Sequence, residues 1–228
     1  MIRAGCVFGL LLAIVAATEQ AVAQDCSGVP APPQIEVSAD VRAAVLDTST
    51  SLRNLSADAG PAMGPNSHTL GTTSLNVMNN LQLQSRGMPQ AGGGFCWSVT
   101  QVKAIVRADT TVNIASEITR DSCMWREVMA HEKKHVALDR QLLPNLVAAT
   151  RARLMQLGNQ SISAASEAVA SAAFQAAAER ALNEAADQYF DGRNAQQLAL
   201  DTPEEYARLS RACGDAEVAE VLGRAGIQ

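Results

Sequence analysis

Aromatic side chains and positive charge are both in short supply in this chain. Phe, Trp and Tyr make up 4% of its 228 residues, and 18 Lys and Arg face 23 Asp and Glu, for a net charge of −5 at pH 7. Such a composition offers no basic track for a phosphate backbone, so no nucleic-acid partner is expected. Beyond the first two dozen residues no run is long and apolar enough to span a bilayer. No stable membrane insertion is therefore expected once the N-terminus is removed. No pair of cysteines shows the C-x-x-C spacing of a cysteine-based zinc site. No internal repeat is present, and histidine occurs only three times.

The N-terminus has the layout of an export signal. Arg3 supplies the positive start, Val7 to Ala17 an apolar stretch too short for a membrane helix, and Ala21-Val22-Ala23 a small-residue cleavage site. Residues 1–23 are predicted to be a signal peptide, which makes the protein exported, either periplasmic or secreted. Residues 24–228 then form a single domain. They keep four cysteines, Cys26, Cys96, Cys123 and Cys213. An even number in an exported chain suggests two disulfides. The favoured pairing is Cys96–Cys123, tying a strand to the start of the following helix, and Cys26–Cys213, clipping the two ends together.

Two of the three histidines fall within five residues, in His131-Glu132-Lys133-Lys134-His135. On a helix, positions four apart project from one face. Two imidazoles placed that way can close on one zinc ion, and Glu132 then stands beside the metal, where a general base for water belongs. Arg126 to Leu143 contains neither Gly nor Pro, and Val128, Met129, Val136, Leu138 and Leu142 give it an apolar stripe. Lys133 and Lys134 fill positions that are usually uncharged in zinc peptidases.

Around this helix the pattern divides the chain. From about residue 35 to 118, alternating apolar positions at Ile35 and Val37, Leu75 to Leu83, Phe95 to Arg107 and Thr110 to Ile118 read as strands, with a turn at Ala108-Asp109. From about 121 to 228 the pattern is helical. Pro144 is expected to end or kink the first helix, and Ser161 to Tyr189 to form a second, Ala-rich one that Gly192 breaks. The fold class is α+β: a small antiparallel sheet followed by a helical half carrying the HExxH helix, a zincin-like layout.

A catalytic zinc needs a third protein ligand and an open position. His68 lies upstream in a loop. Asp139 shares the histidine stripe, but two helical turns separate it from His131, so it suits a partner that orients His135 rather than a ligand. A Glu on a following helix is the common zincin solution, which favours Glu184.

The stretch from Cys96 to His135 resembles a family of predicted secreted bacterial zinc-dependent proteases. Cys96-Trp97, the β-rich run through Val112 and Ile114, Trp125 and the HExxH string carry the resemblance. Leu52-Arg53, Gly60-Pro61 and Gly71-Thr72-Thr73 resemble that family's leading segment. Downstream, Asp191-Gly192 stands where the family tends to have a His-Gly pair, so the resemblance implies Asp191 as third ligand, with Glu184 the alternative. The expected function is a zinc metallopeptidase acting on a peptide or protein, with zinc on His131, His135 and Asp191 and with Glu132 as general base. Tyr189, Tyr206 and Arg193 are candidates for a second oxyanion donor. The alternative is a non-catalytic zinc-binding or partner-binding envelope protein that retains the motif. The oligomeric state is left open.

Overall fold

The computed structural model describes residues 26, 32–59, 68–90 and 94–227. The expected signal segment, its cleavage site and Gly60-Pro61 lie outside the described residues. The elements in chain order are β1 (Gln34–Val41), β2 (Val45–Asp47), α1 (Leu52–Ala59), β3 (Gly71–Pro89), β4 (Phe95–Ile114), α2 (Cys123–Gly158), β5 (Ser161–Ala164), α3 (Glu167–Leu198), α4 (Pro203–Ala212) and α5 (Gly214–Arg224).

Strand β4 is the spine of a five-stranded sheet. Val102, Ala104, Val106, Ala108, Val112 and Ile114 point inward and are buried, while Lys103, Ile105 and Arg107 face out. This period of two continues in phase through Ala108-Asp109, where Ala108 pairs with Val77. The expected turn is therefore absent, and two expected strands are one. Along one edge β3 pairs antiparallel over its whole length, with Thr100 left over between Gln101, which pairs with Gln84, and Val99, which pairs with Ser85. Along the other edge lie β5, antiparallel, and then β1 and β2, both parallel to β4. The expected antiparallel sheet is thus corrected to a mixed one. The reason is connectivity: β3 reverses the chain between β2 and β4, so β4 runs in the direction of β1.

One face of this sheet is covered by two long antiparallel helices. Ser122 caps α2, its hydroxyl accepting from the Trp125 amide at 3.1 Å. The helix runs through Pro144 instead of ending there. Buried Leu142, Leu143 and Leu146 hold both sides of the proline against the core, which offsets the one amide bond it lacks. Ser161–Ala164, expected to be helical, instead pairs with β4 as β5. Helix α3 then starts at Glu167 and passes Gly192 without a break, ending at Leu198. Its buried stripe is Ala170, Phe174, Ala178, Leu182, Ala185 and Tyr189, at spacings of three and four.

The core has two parts. The larger lies between the sheet and the C-terminal half of α2 with α3, around Val102, Val106, Leu146, Leu154 and Phe174. The smaller gathers Leu52, Leu55, Ile114, Met124, Trp125, Val128 and Val221 around the start of α2. Residues 131–135 sit on α2 where one cluster gives way to the other.

Both cysteine pairings differ from expectation. The bonds are Cys26–Cys96 and Cys123–Cys213, with Cα separations of 5.8 and 5.5 Å. Cys96 opens β4 and Cys123 follows its far end, so at about 3.3 Å per residue the strand holds them roughly 60 Å apart. Cys26 instead lies beside the start of β4, and the end of α4 returns to the start of α2.

Candidate metal centre

The two motif histidines converge as their spacing requires. His131 Nε2 and His135 Nε2 are 3.0 Å apart, and a third atom joins them: Asp201 Oδ1, at 3.0 Å from the first and 3.1 Å from the second. Asp201 lies in the turn between α3 and α4. Thr202, whose hydroxyl accepts from the Glu205 amide at 3.2 Å, and Pro203 start the next helix immediately after it. The histidine side chains are 5% and 8% exposed, against 26% for Asp201, so the centre opens to solvent on the aspartate side.

The outer ring nitrogens decide what these atoms can do. His131 Nδ1 faces Glu205 Oε1 at 3.3 Å. Glu205 is held in turn by Lys134 at 2.6 Å and by both Nε and Nη2 of Arg208 at 2.9 and 3.1 Å, and these cations keep its carboxyl well below the usual range. His135 Nδ1 faces Gln197 Oε1 at 2.5 Å. Each imidazole therefore spends its outer N–H on an acceptor and, when neutral, turns a lone pair inward. Two such lone pairs and a carboxylate oxygen meeting at 3.0–3.1 Å repel unless a proton or a metal ion stands among them. Burial lowers the affinity of His135 for a proton, yet the bonds to Asp201 and Gln197 and the charges of Asp201 and Glu132 outweigh it and raise its pKa. Burial likewise opposes the Asp201 charge, but its histidine partners hold that carboxyl well below the usual range. The group fits a metal ion: two buried imidazole nitrogens and one half-buried carboxylate oxygen lie close enough together to share one. Ligand atoms on one tetrahedral ion at roughly 2.0–2.1 Å stand about 3.4 Å from each other, so little adjustment is needed.

Glu132 is buried beside the histidines, and strand β3 holds it there. The Thr73 hydroxyl donates to Glu132 Oε2 at 2.8 Å. Gly71 lies so close that a Cβ there would stand 2.7 Å from Val128 Cγ1 and 2.9 Å from Glu132 Oε1. Burial raises the Glu132 pKa, against the opposing pull of Thr73 and the two histidines. Tyr206 also borders the centre, its ring 6.2 Å from that of His131. Burial and then the Asp201 charge push its phenol above the usual range, so it stays protonated.

Of the residues singled out in the sequence, His131, Glu132 and His135 are brought together, and Lys134 faces away from the centre to brace Glu205. Glu184 is not near: it pairs with Arg153 on the surface, 18 positions along α2 from His135, about 27 Å of helix rise. Asp191 is exposed. The face of α3 that meets α2 here carries Arg193 and Gln197, and a residue two before Arg193 points to the other side. Asp201 replaces both as the third donor. Asp139 is buried but does not touch His135. It pairs with Arg193 at 2.6 and 3.0 Å and accepts from Gln197, which stands between. Arg193 is taken up by Asp139, and Tyr189 is buried in the core. The sequence assigns no site role to Gln197, Asp201, Glu205 or Thr73, although Thr73 and Gln197 stand in stretches that carry the family resemblance. The usable signal for Asp201 was its place just before the Thr202-Pro203 helix start, where a side chain is set at a fixed turn. Comparisons of the chain with family models, with curated proteins and with solved structures each return no match.

Proposed function

We propose that the protein is an exported zinc-dependent metallopeptidase. The observation that carries this is the inward convergence of His131 Nε2, His135 Nε2 and Asp201 Oδ1, with each outer imidazole N–H already engaged. A nitrogen-rich three-donor set with one oxygen suits zinc and leaves a position open for the reaction. When bound, zinc supplies Lewis acidity, acidifying water toward a pKa of about 7 and polarising a carbonyl. Glu132, fixed by Thr73, is placed to take the water proton and deliver it to the leaving amine. The Tyr206 phenol is a donor for the developing oxyanion. Strand β3 supports a peptide substrate. Among the described residues it pairs only with β4, so its outer edge remains available for an extended chain near Thr73 and Glu132. Two disulfides support export. No described helix is long and apolar enough to cross a membrane.

The test is metal content with peptidase activity on a mixed peptide library. One zinc per chain is expected in the wild type, lost in His131→Ala and strongly weakened in Asp201→Ala, and retained in Asp191→Ala. Glu132→Gln should keep zinc and lose turnover. Activity surviving in Glu132→Gln rules out the mechanism, and zinc without any peptidase activity in the wild type rules out the enzyme.

A further inference from the structure

The geometry points to Gln197 as a positioning residue that fixes the proton of His135 and so makes that histidine a metal ligand, with Asp139 and Arg193 fixing Gln197 in turn. This rests on the metal-centre reading above. The argument follows the polarity of each group. Gln197 is buried at the contact of α3 with α2. Its amide nitrogen donates to Asp139 Oδ1 at 2.6 Å and to the His135 carbonyl at 3.3 Å. Neither partner can donate back: one is a peptide oxygen, and the other is a carboxylate gripped by the Arg193 guanidinium through Nε and Nη2. The amide therefore has one permitted orientation. Turned over, its oxygen would face two acceptors.

In that orientation Oε1 faces His135 Nδ1 at 2.5 Å and requires a proton there. The requirement matters because Asp201 pulls the other way. Asp201 Oδ1 lies 3.1 Å from His135 Nε2, and without a metal it favours a proton on that nitrogen, which would block ligation. Gln197 opposes it from the other end of the ring. The polarity thus runs from Arg193 through Asp139 and Gln197 to His135, four side chains on two helices. His131 has a different support, the anionic Glu205. The two histidines are consequently oriented by chemically distinct partners, a neutral amide and a carboxylate.

The test reads His135 directly by 15N NMR of the imidazole nitrogens, together with zinc affinity. In the wild type, with or without zinc, Nδ1 should carry a proton. In Gln197→Leu the neutral ring of the zinc-free protein should move to the Nε2–H form, and zinc affinity should fall 10- to 100-fold. A bare Nδ1 in the wild type would overturn the inference without any variant. So would an unchanged tautomer and unchanged affinity in a folded Gln197→Leu. A wild type that keeps the Nδ1 proton yet binds no zinc would refute the metal reading and leave the proton assignment standing, so the two failures are distinguishable.

Discussion

At the scale of single residues, Thr73 shows how a side chain far in sequence tunes a motif residue. Its hydroxyl is the hydrogen-bond donor to the Glu132 carboxylate, which is otherwise buried. Thr73→Val keeps the shape and removes the donor. Unfolding measured at pH 7 should show a loss of about 1.5–3 kcal/mol, the range for a hydrogen bond to a charged group. The bond lowers the Glu132 pKa, so its loss raises that pKa further. The destabilisation should accordingly fade at pH 4, where the carboxyl is protonated. An equal loss at both values would show that Thr73 acts by packing alone. Gly71 imposes a complementary limit: Gly71→Ala would press a methyl onto Glu132 and Val128 and should lower turnover while leaving zinc bound, as metal analysis beside an activity assay would show.

At the scale of elements, α4 is the part that completes the site. It begins just after Asp201 and carries Glu205 and Tyr206, and its end is bonded to the start of α2 through Cys123–Cys213. The other cystine, Cys26–Cys96, lies near the β5 end of α2, tens of ångströms along the helix. The two should therefore separate in their effects. Removing either bond as a double serine variant should cost about 2–4 kcal/mol of stability. Only Cys123→Ser with Cys213→Ser should also weaken zinc binding, because it frees the segment that presents Asp201. Equal zinc affinity in both double variants, measured by competition with a chelating dye, would show that α4 is held by its packing and not by the cystine. Helix α3 teaches a related lesson about length. Gly192 reads as a stop in the sequence, but the Ala170 to Tyr189 stripe is so closely packed that the helix continues to Leu198. That extension carries Gln197 to His135 and moves the turn holding the third donor from Asp191 to Asp201.

For the whole molecule, the centre sits on the seam between two core clusters, and a metal there would join them. Its effect on stability should depend on pH with a definite sign. In the metal-free protein the pKa values of His135 and Glu132 are both raised. Such groups favour the folded state when protonated, and that contribution is lost as pH rises through their folded values. Zinc reverses the dependence at His135, since it needs that ligand nitrogen deprotonated. The rise in Tm on adding zinc should be small at pH 5 and large at pH 8, and a chelator should erase it. A rise of equal size at both values in thermal scans would mean that the metal binds elsewhere.

What the chain determined by itself is what depends on local repetition. The four-residue spacing of His131 and His135 and the alternation along β4 each follow from backbone geometry that repeats over a few residues, and the structure keeps both. What only the tertiary structure decided is what depends on where the chain returns. The third donor lies 66 positions from His135, the Thr73 partner of Glu132 lies 59 positions away, and the cystines close separations of 70 and 90. Such meetings are set by the accumulated lengths of the intervening elements. Ending α3 at Gly192 instead of Leu198 shifts its end by roughly 9 Å at 1.5 Å per residue, enough to present a different aspartate to the same two histidines.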